Sequence, residues 1–302
     1  MKKGIFIGRT TLDIVYYHQG MPGENEKSKT WDYRSAVGGN ACNGAVTYAL
    51  LGGRAVLITA IGSSNIGRSM KLELEQYQIE LIDLLEGKNV LPFISAILIN
   101  MENESRTIWG GQQSMMEYAG IDQEDIIRNG AFIMADDQFP TLAAELFYQA
   151  REEQIPAVFD AERWRPETEK LLDGATDVIA SSDCRPADQR SMFEVLREKK
   201  IPYRAVTDGG NPILWETEER SGSVLPIKVK SVDTLGAGDI LHGAYCYFRF
   251  AQGLSFEQAL DKASRVSGYS VAYRGPRQGI YEYMAGTKIE TESKSLKEED
   301  GT

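Results

Sequence analysis

"VDTLGAGDILHGAY" (residues 232–245) runs from Val232 through Gly236, Ala237 and Gly238 to Asp239 and then becomes amphipathic. Ile240, Leu241, Ala244, Tyr245 and Phe248 recur with the 3.6-residue helical period, so the first helical turn starts near Gly236. The unpaired N–H groups of that turn, the positive end of the helix dipole and the small side chains together suit a phosphate or a developing anion. An acid in a first turn is ordinary, worth about 0.3–1 kcal/mol through the dipole alone. Two acids, two glycines and a threonine in the seven residues 233–239 are more than a cap requires. With a strand expected to end just before it, the stretch reads as strand, anion loop and helix, a unit of an open α/β sheet.

The rest of the chain repeats that alternation. "GIFIG" (4–8), "AVLITAIG" (55–62), "AFIMAD" (131–136), "AVFDAE" (157–162), "DVIAS" (177–181) and "YRAVTDG" (203–209) read as buried strands, most of them separated by helical patterns. The fold class is therefore α/β, a doubly wound and mostly parallel sheet. Residues 13–37 and 91–111 depart from the rhythm, being rich in β-branched and aromatic residues with no helix between strands. They are expected to pair as a small β lid over the strand ends, where open α/β sheets bind ligands. Residues 1–12, 38–90 and 112–286 then form the α/β domain. The charged, aperiodic tail 287–302 is expected to be disordered.

Composition narrows the function. The 302 residues include 42% hydrophobic side chains, enough for a sizeable core. A net charge of −11 argues against a nucleic-acid or membrane partner, both of which need a basic footprint. A small-molecule ligand is the expectation. Cys42, Cys184 and Cys246 form no paired framework, and with only His18 and His242 beside them no metal-ligand spacing arises. "MKKGIFIGRTTLD" (1–13) fits neither a signal peptide nor a membrane span, which points to the cytoplasm.

"GSSNIGRS" (62–69) nearly matches a phosphate-binding loop, but Arg68 stands where that loop needs lysine, and it is read as a turn that starts a helix. "VGGNACNGAVTYALLGG" (37–53) is more telling. Gly38 and Gly39 allow close backbone approach, and Asn40 and Asn43, three apart, offer paired donors and acceptors that suit sugar hydroxyls. Asn40 also reads as an ordinary N-cap, whereas Asn43 lies inside the helix, where asparagine is disfavoured. Asp13 follows the first strand directly, where it can cap a turn or meet a ligand hydroxyl.

"GGNACNGAV" (38–46) and "DTLGAGD" (233–239) resemble the two signatures of the ribokinase-like (PfkB-type) carbohydrate kinases, over roughly residues 3–283. "GGNACN" and "ESRTI" (104–108) resemble most the ketohexokinase branch. The resemblance implies transfer of the γ-phosphoryl group of ATP to a hydroxyl of a ketohexose-like sugar, with Mg2+, room for a monovalent cation such as K+, and a β lid. It casts Asp239 as the base and Gly236, Ala237 and Gly238 as the anion hole. Asp13, Asn25, Gly38, Gly39, Asn40 and Asn43 match substrate positions, and Arg106 reaches into the cleft from the lid. Thr207, Gly209 and Gly210 match the nucleotide segment, with Ala263 and Ser267 near the adenine.

Two departures stand out. Ser181 and Cys184 occupy the place of the N-x-x-E motif that organises magnesium in many members, and Asn25 replaces a substrate-binding aspartate. The alternatives are an anionic sugar such as 6-deoxy-6-sulfofructose, a nucleoside, or a non-catalytic sensor. "IMADDQF" (133–139) and "VFDAERW" (158–164) resemble the sulfofructose kinases, although Gln138 takes the place of their sulfonate-binding arginine. Lys27 and Arg106 still offer positive charge. The intact Asp239 speaks against the sensor. The lid's apolar residues, Ile14, Tyr16, Trp31, Tyr33, Phe93, Ile97 and Ile99, exceed what one covered face needs, which predicts a homodimer through the lid.

Overall fold

All six apolar runs are strands of one large sheet in the computed structural model, which describes residues 2–30, 32–103, 105–111 and 118–289. In chain order its strands are β1 (Lys3–Ile7), β4 (Ala55–Thr59), β5 (Glu80–Asp83), β8 (Gly130–Ala135), β9 (Ala157–Ala161), β10 (Asp177–Ser181), β11 (Tyr203–Thr207), β12 (Ile213–Glu216) and β13 (Ser221–Val224). A second sheet holds β2 (Thr11–His18), β3 (Asp32–Gly38), β6 (Phe93–Asn100) and β7 (Arg106–Gly110). The helices are α1 (Asn40–Leu50), α2 (Asn65–Glu75), α3 (Gln123–Asn129), α4 (Pro140–Glu152), α5 (Thr168–Gly174), α6 (Met192–Glu198), α7 (Ala237–Cys246), α8 (Phe256–Val271) and α9 (Gln278–Met284).

The large sheet runs in the order β13-β12-β11-β10-β9-β8-β1-β4-β5, parallel throughout except for β12 and β13. From β1 the chain winds first toward β4 and β5 and later toward β8 to β11, so the winding reverses between β1 and β8. Open α/β sheets bind ligands at the strand ends beside such a reversal. Alternate residues feed two cores. Phe6, Leu57, Phe132 and Met134 pack with α1, α7 and α8, while Ile5, Ile58, Ile133 and Phe159 pack with α4, α5 and α6. Helices on both faces explain why these strands read as unbroken apolar runs.

No strand leads directly into the anion loop. The N–H groups of Val232 and Asp233 instead donate to the Val271 carbonyl at the end of α8, at 2.9 and 3.2 Å, occupying an acceptor that a helix end leaves free. Behind the loop, α1 and α7 meet at glycine. A Cβ on Gly243 would fall 2.3 Å from the Gly44 carbonyl oxygen. The "GSSNIGRS" turn is a helix start, with Ser64 accepting from the Gly67 N–H at 3.1 Å.

The small sheet has the order β3-β2-β6-β7. Its register sets Val15, Arg34, Ile97 and Ile108 in one row and Tyr17, Asp32, Ile99 and Arg106 in the next, on one face. Val15, Tyr17, Ile97 and Ile99 are buried there, with Leu235 packed against them. Ile97 and Ile99 therefore do not belong to an exposed patch, because strand parity turns them toward the α/β body. Ile14, Tyr16, Tyr33 and Trp109 alternate onto the opposite face, where Tyr16, Tyr33 and Trp109 are exposed. Trp31 lies outside the described residues. So do residues 290–302 of the tail, whereas Thr287 is tied to α8 and α9 through Tyr269 and Glu282.

Candidate active site

Gly236 caps α7 in the left-handed region (φ 75°), and Asp239 follows in the first turn. The Asp239 Oδ2 accepts from the Asn43 Nδ2 at 2.7 Å. Arg277 orients that amide, donating to the Asn43 Oδ1 at 2.8 Å and to the Val37 carbonyl at 2.9 Å. Both ends of the Asn43 side chain are thus engaged inside the protein, so Asn43 orients the carboxylate, and it lines the same small cavity as Asp13. This accounts for an asparagine in a helix interior. The first-turn amides divide as well: the Ala237 N–H turns back to the Thr234 carbonyl at 3.3 Å, which leaves Gly238 as the better donor to a ligand.

Burial pushes the Asp239 carboxyl up to about 7, and the nearby Asp160 adds to the effect while Asn43 opposes it. A carboxylate near neutrality is poised to accept a proton at working pH. Asp160, at the end of β9, is itself held well above the ordinary range by burial and by the charges of Glu162 and Asp136. His242 lies one helical turn beyond Asp239, with its Nε2 3.5 Å from the Asp160 Oδ1 and 3.1 Å from the Ile179 carbonyl. Burial lowers its pKa and keeps the ring neutral. No sequence motif assigns a role to Asp160, Glu162, His242 or Arg277. A signal existed for Asp160 and Glu162, since "VFDAE" puts acids at a strand's carboxyl end.

At the reversal point the ends of β1 and β8 meet. Asp136 accepts from the N–H groups of Arg9, Gln138 and Ala41 at 2.8, 2.8 and 3.2 Å, and burial still raises it to about 6. Gly39 abuts Arg9 so closely that a Cβ would lie 2.5 Å from the Arg9 carbonyl oxygen, and a Cβ on Gly38 would overlap the Asp13 carboxylate. Asp13 accepts from the Thr11 hydroxyl at 2.7 Å, and burial raises it despite Arg277 and Arg34 nearby. Asn40 points its Nδ2 between Asp160 and Glu162, 3.4 Å from each. Asp13, Gly38, Gly39, Asn40 and Asp239 therefore share one neighbourhood.

Other expected residues fall elsewhere. Asn25 sits exposed at the tip of the β2–β3 loop with φ 61°, and no hydrogen bond ties it to the rest of the site. The loop lies beyond His18 and Asp32, at the other end of the strands from Asp13, so this chain's fold does not bring Asn25 to Asp13. Ala263 is wholly buried in the core, and its methyl is closed to a ligand. Ser267 turns its hydroxyl to the Ala237 carbonyl at 2.8 Å, bracing the loop. Arg106 donates to the Thr234 hydroxyl at 2.8 Å, so it meets the anion loop itself. Thr207 ends β11, and Gly209 (φ 54°) and Gly210 follow in an exposed turn with open space beside both.

A model of the pfkB family of carbohydrate kinases matches residues 1–282. The chain belongs to that family. It is a phosphotransferase with an alcohol group as acceptor, an ATP-dependent carbohydrate kinase of the ribokinase-like type. It is 23% identical over 289 residues to a ribokinase of Lactococcus lactis, covering 93% of this chain and 94% of that protein. It is 22% identical over 284 residues to a deoxyribokinase of Salmonella typhi, covering 89% and 92%. Among solved structures, Arabidopsis thaliana ribokinase complexed with ribose and ATP superposes with a TM-score of 0.73 at 17% identity, covering 91% of this chain and 94% of that one. The nucleoside kinase of Methanocaldococcus jannaschii does so at 0.78 and 15%, covering 95% and 99%. Among the described residues no helix is long and apolar enough to cross a membrane.

The cations implied by the family differ in fit. No three His, Cys, Asp or Glu side chains among the described residues are grouped to hold a metal, and Cys184 is buried with its thiol pushed up to about 12. That suits a magnesium ion carried on nucleotide phosphates and water rather than in a protein cage. A monovalent cation at the loop would need Asp233, and that carboxylate is taken. Its Oδ2 receives Arg34, the Tyr17 hydroxyl and the Gly275 N–H, and its Oδ1 receives the Leu235 N–H.

Proposed function

We propose that this kinase phosphorylates a hydroxyl of a ketohexose-like sugar, with Asp239 as the general base. The observation that supports Asp239 as the base is its buried carboxylate, oriented by Asn43 in the first turn of α7 and held near neutral pH, while the ketohexose acceptor rests on the likeness of "GGNACN" and "ESRTI" to the ketohexokinase branch. Asp13, with Gly38, Gly39 and Asn40 beside it, would hold the sugar, its charged oxygen accepting from ring hydroxyls. The sugar oxygen attacks the γ-phosphorus, the bond from that phosphorus to the bridging oxygen of ADP breaks, and the hydroxyl proton passes to Asp239. The Gly238 N–H and the α7 dipole stabilise charge on the transferring oxygens. Magnesium, held by the phosphates, would neutralise charge on the departing ADP. Thr207, Gly209 and Gly210 would floor the nucleotide.

Ribose or deoxyribose is the second reading, favoured by the ribokinase and deoxyribokinase names of the relatives. An ATP-depletion screen over ketohexoses, aldopentoses, sulfosugars and nucleosides separates the two. Fastest turnover of fructose or another ketohexose supports the first, fastest turnover of ribose or deoxyribose the second, and no turnover with Mg2+ present overturns both. The same reading includes a homodimer through the outer lid face, where Tyr16 stacks on Tyr33 with centroids 6.3 Å apart and both are exposed. Light scattering tests it, and a single 33.6 kDa species overturns it.

A further inference from the structure

The two edge strands of the lid sheet, β3 and β7, each send one arginine inward, and the two arginines land on consecutive residues of the anion loop. From β3, Arg34 pairs with Asp233 at 2.5 Å, and from β7, Arg106 donates to the Thr234 hydroxyl at 2.8 Å. Asp233 is almost wholly buried, its side chain 2% exposed, so its charge needs a partner. A site has been shaped around the guanidinium. It lies 5.7 Å from the Tyr17 ring centroid, and the Gly275 position has room for it only without a side chain, since a Cβ there would fall 1.9 Å from the Arg34 Nη1. Gly275 also donates its N–H to the same carboxylate oxygen at 3.0 Å.

We infer that Arg34 is the fixed cation of the anion loop, a positioning residue that neutralises Asp233 from the lid, and that with Arg106 it clasps the lid to the loop across the full width of the small sheet. Two consequences follow. With the small sheet seated on the loop that presents Gly238 and Asp239, the helix N-terminus that receives the phosphoryl group and the sheet that carries Asp13 are held in register with each other. The kinase also needs no monovalent cation, because a guanidinium already occupies the Asp233 carboxylate. This rests on the proposed role of the loop in phosphoryl transfer.

The test combines kinetics with a measurement that needs no substrate. Wild-type turnover is expected to be equal in K+, Na+ and tetramethylammonium chlorides at matched ionic strength. Arg34→Ala is expected to lower kcat about a hundredfold, the consequence of leaving a buried charge unpaired. Added guanidinium should restore part of that loss, and Arg34→Lys should retain more activity than Arg34→Ala. In hydrogen exchange, Arg34→Ala should lose amide protection in β2, β3 and residues 233–239, with β1 and β8 unchanged. Activation of the wild type by K+ over Na+ overturns the inference, as does an Arg34→Ala enzyme with unchanged kcat and lid protection. An Arg34→Ala loss that neither guanidinium nor lysine relieves also overturns it. If Arg34→Ala does not fold, Arg34→Gln and Arg34→Lys carry the same test, the first removing the charge and the second keeping it. Should no sugar be phosphorylated, the proposed substrate fails while exchange still judges the clasp.

Discussion

Both sheets are made from β-branched and aromatic residues, yet they are held in different ways. The nine-stranded sheet has helices on both faces, and its central strands β1, β4 and β8 are buried along almost their whole length. The four-stranded sheet buries one face on a small cluster, Val15, Tyr17, Ile97 and Ile99 against Leu235, and is otherwise fastened by polar contacts at its two edges. Apolar burial is non-directional and grows with area, whereas an ion pair or hydrogen bond demands one geometry. The large sheet therefore supplies stability. The small one is seated on the body in a single register by contacts that demand one geometry.

Substitutions on either side can break this contrast. The largest effect is expected at Asp239→Asn, which keeps the volume but cannot take the proton. Turnover should fall about 10²–10⁴-fold with ligand binding nearly intact, and steady-state rates within tenfold of wild type would remove Asp239 as base. Next comes core truncation. Ile133→Ala in β8 should cost about 2–5 kcal/mol of global stability in chemical denaturation. Ile97→Ala in the lid should chiefly lower local exchange protection, and an equal global loss at both positions would show the two sheets to be one cooperative unit.

Asp13→Ala should raise the sugar KM by the equivalent of about 1.5–3 kcal/mol, far more than the ATP KM. Equal changes in the two constants would make Asp13 structural. Smaller still is a pH effect. The rate should decline as pH falls below the Asp239 value of about 7, because protonation removes the base. Asp160→Asn takes away a neighbouring negative charge, so that acid limb should move to lower pH; a limb that stays in place would uncouple the two carboxyls. Least of all, Tyr33→Lys on the outer lid face should leave stability within about 0.5 kcal/mol while splitting the dimer, as read by light scattering.

Much of this organisation was legible from the chain. Unbroken apolar runs such as "AVLIT" and "AFIMA" announce strands covered on both faces, and both glycine-rich motifs mark helix starts, although only "GGNACN" follows a strand directly. The small sheet was legible as two helix-free segments. Which of its faces points inward was not, since alternation yields two faces without naming the buried one, and Ile97 and Ile99 fell on the side of Val15 and Tyr17. Residues joined only by tertiary contact were also silent. Arg34 and Asp233 are 199 positions apart, and Arg277 and Asn43 are 234 apart. Nothing local distinguishes these arginines from solvated ones. Ala263 erred in the other direction: its helix position was read correctly, but the face it occupies is core.

The contact between α1 and α7 bears on how such an enzyme can change. Gly44 and Gly243 let the two helices touch backbone to backbone, and the same helices carry Asn43 and Asp239 at their leading ends. The span between the Asp239 carboxylate and the amide that aims it is thus gauged by two missing side chains. Residues such as Asp13 and Asn40, which stand on other contacts, can be exchanged without altering the distance from Asn43 to Asp239.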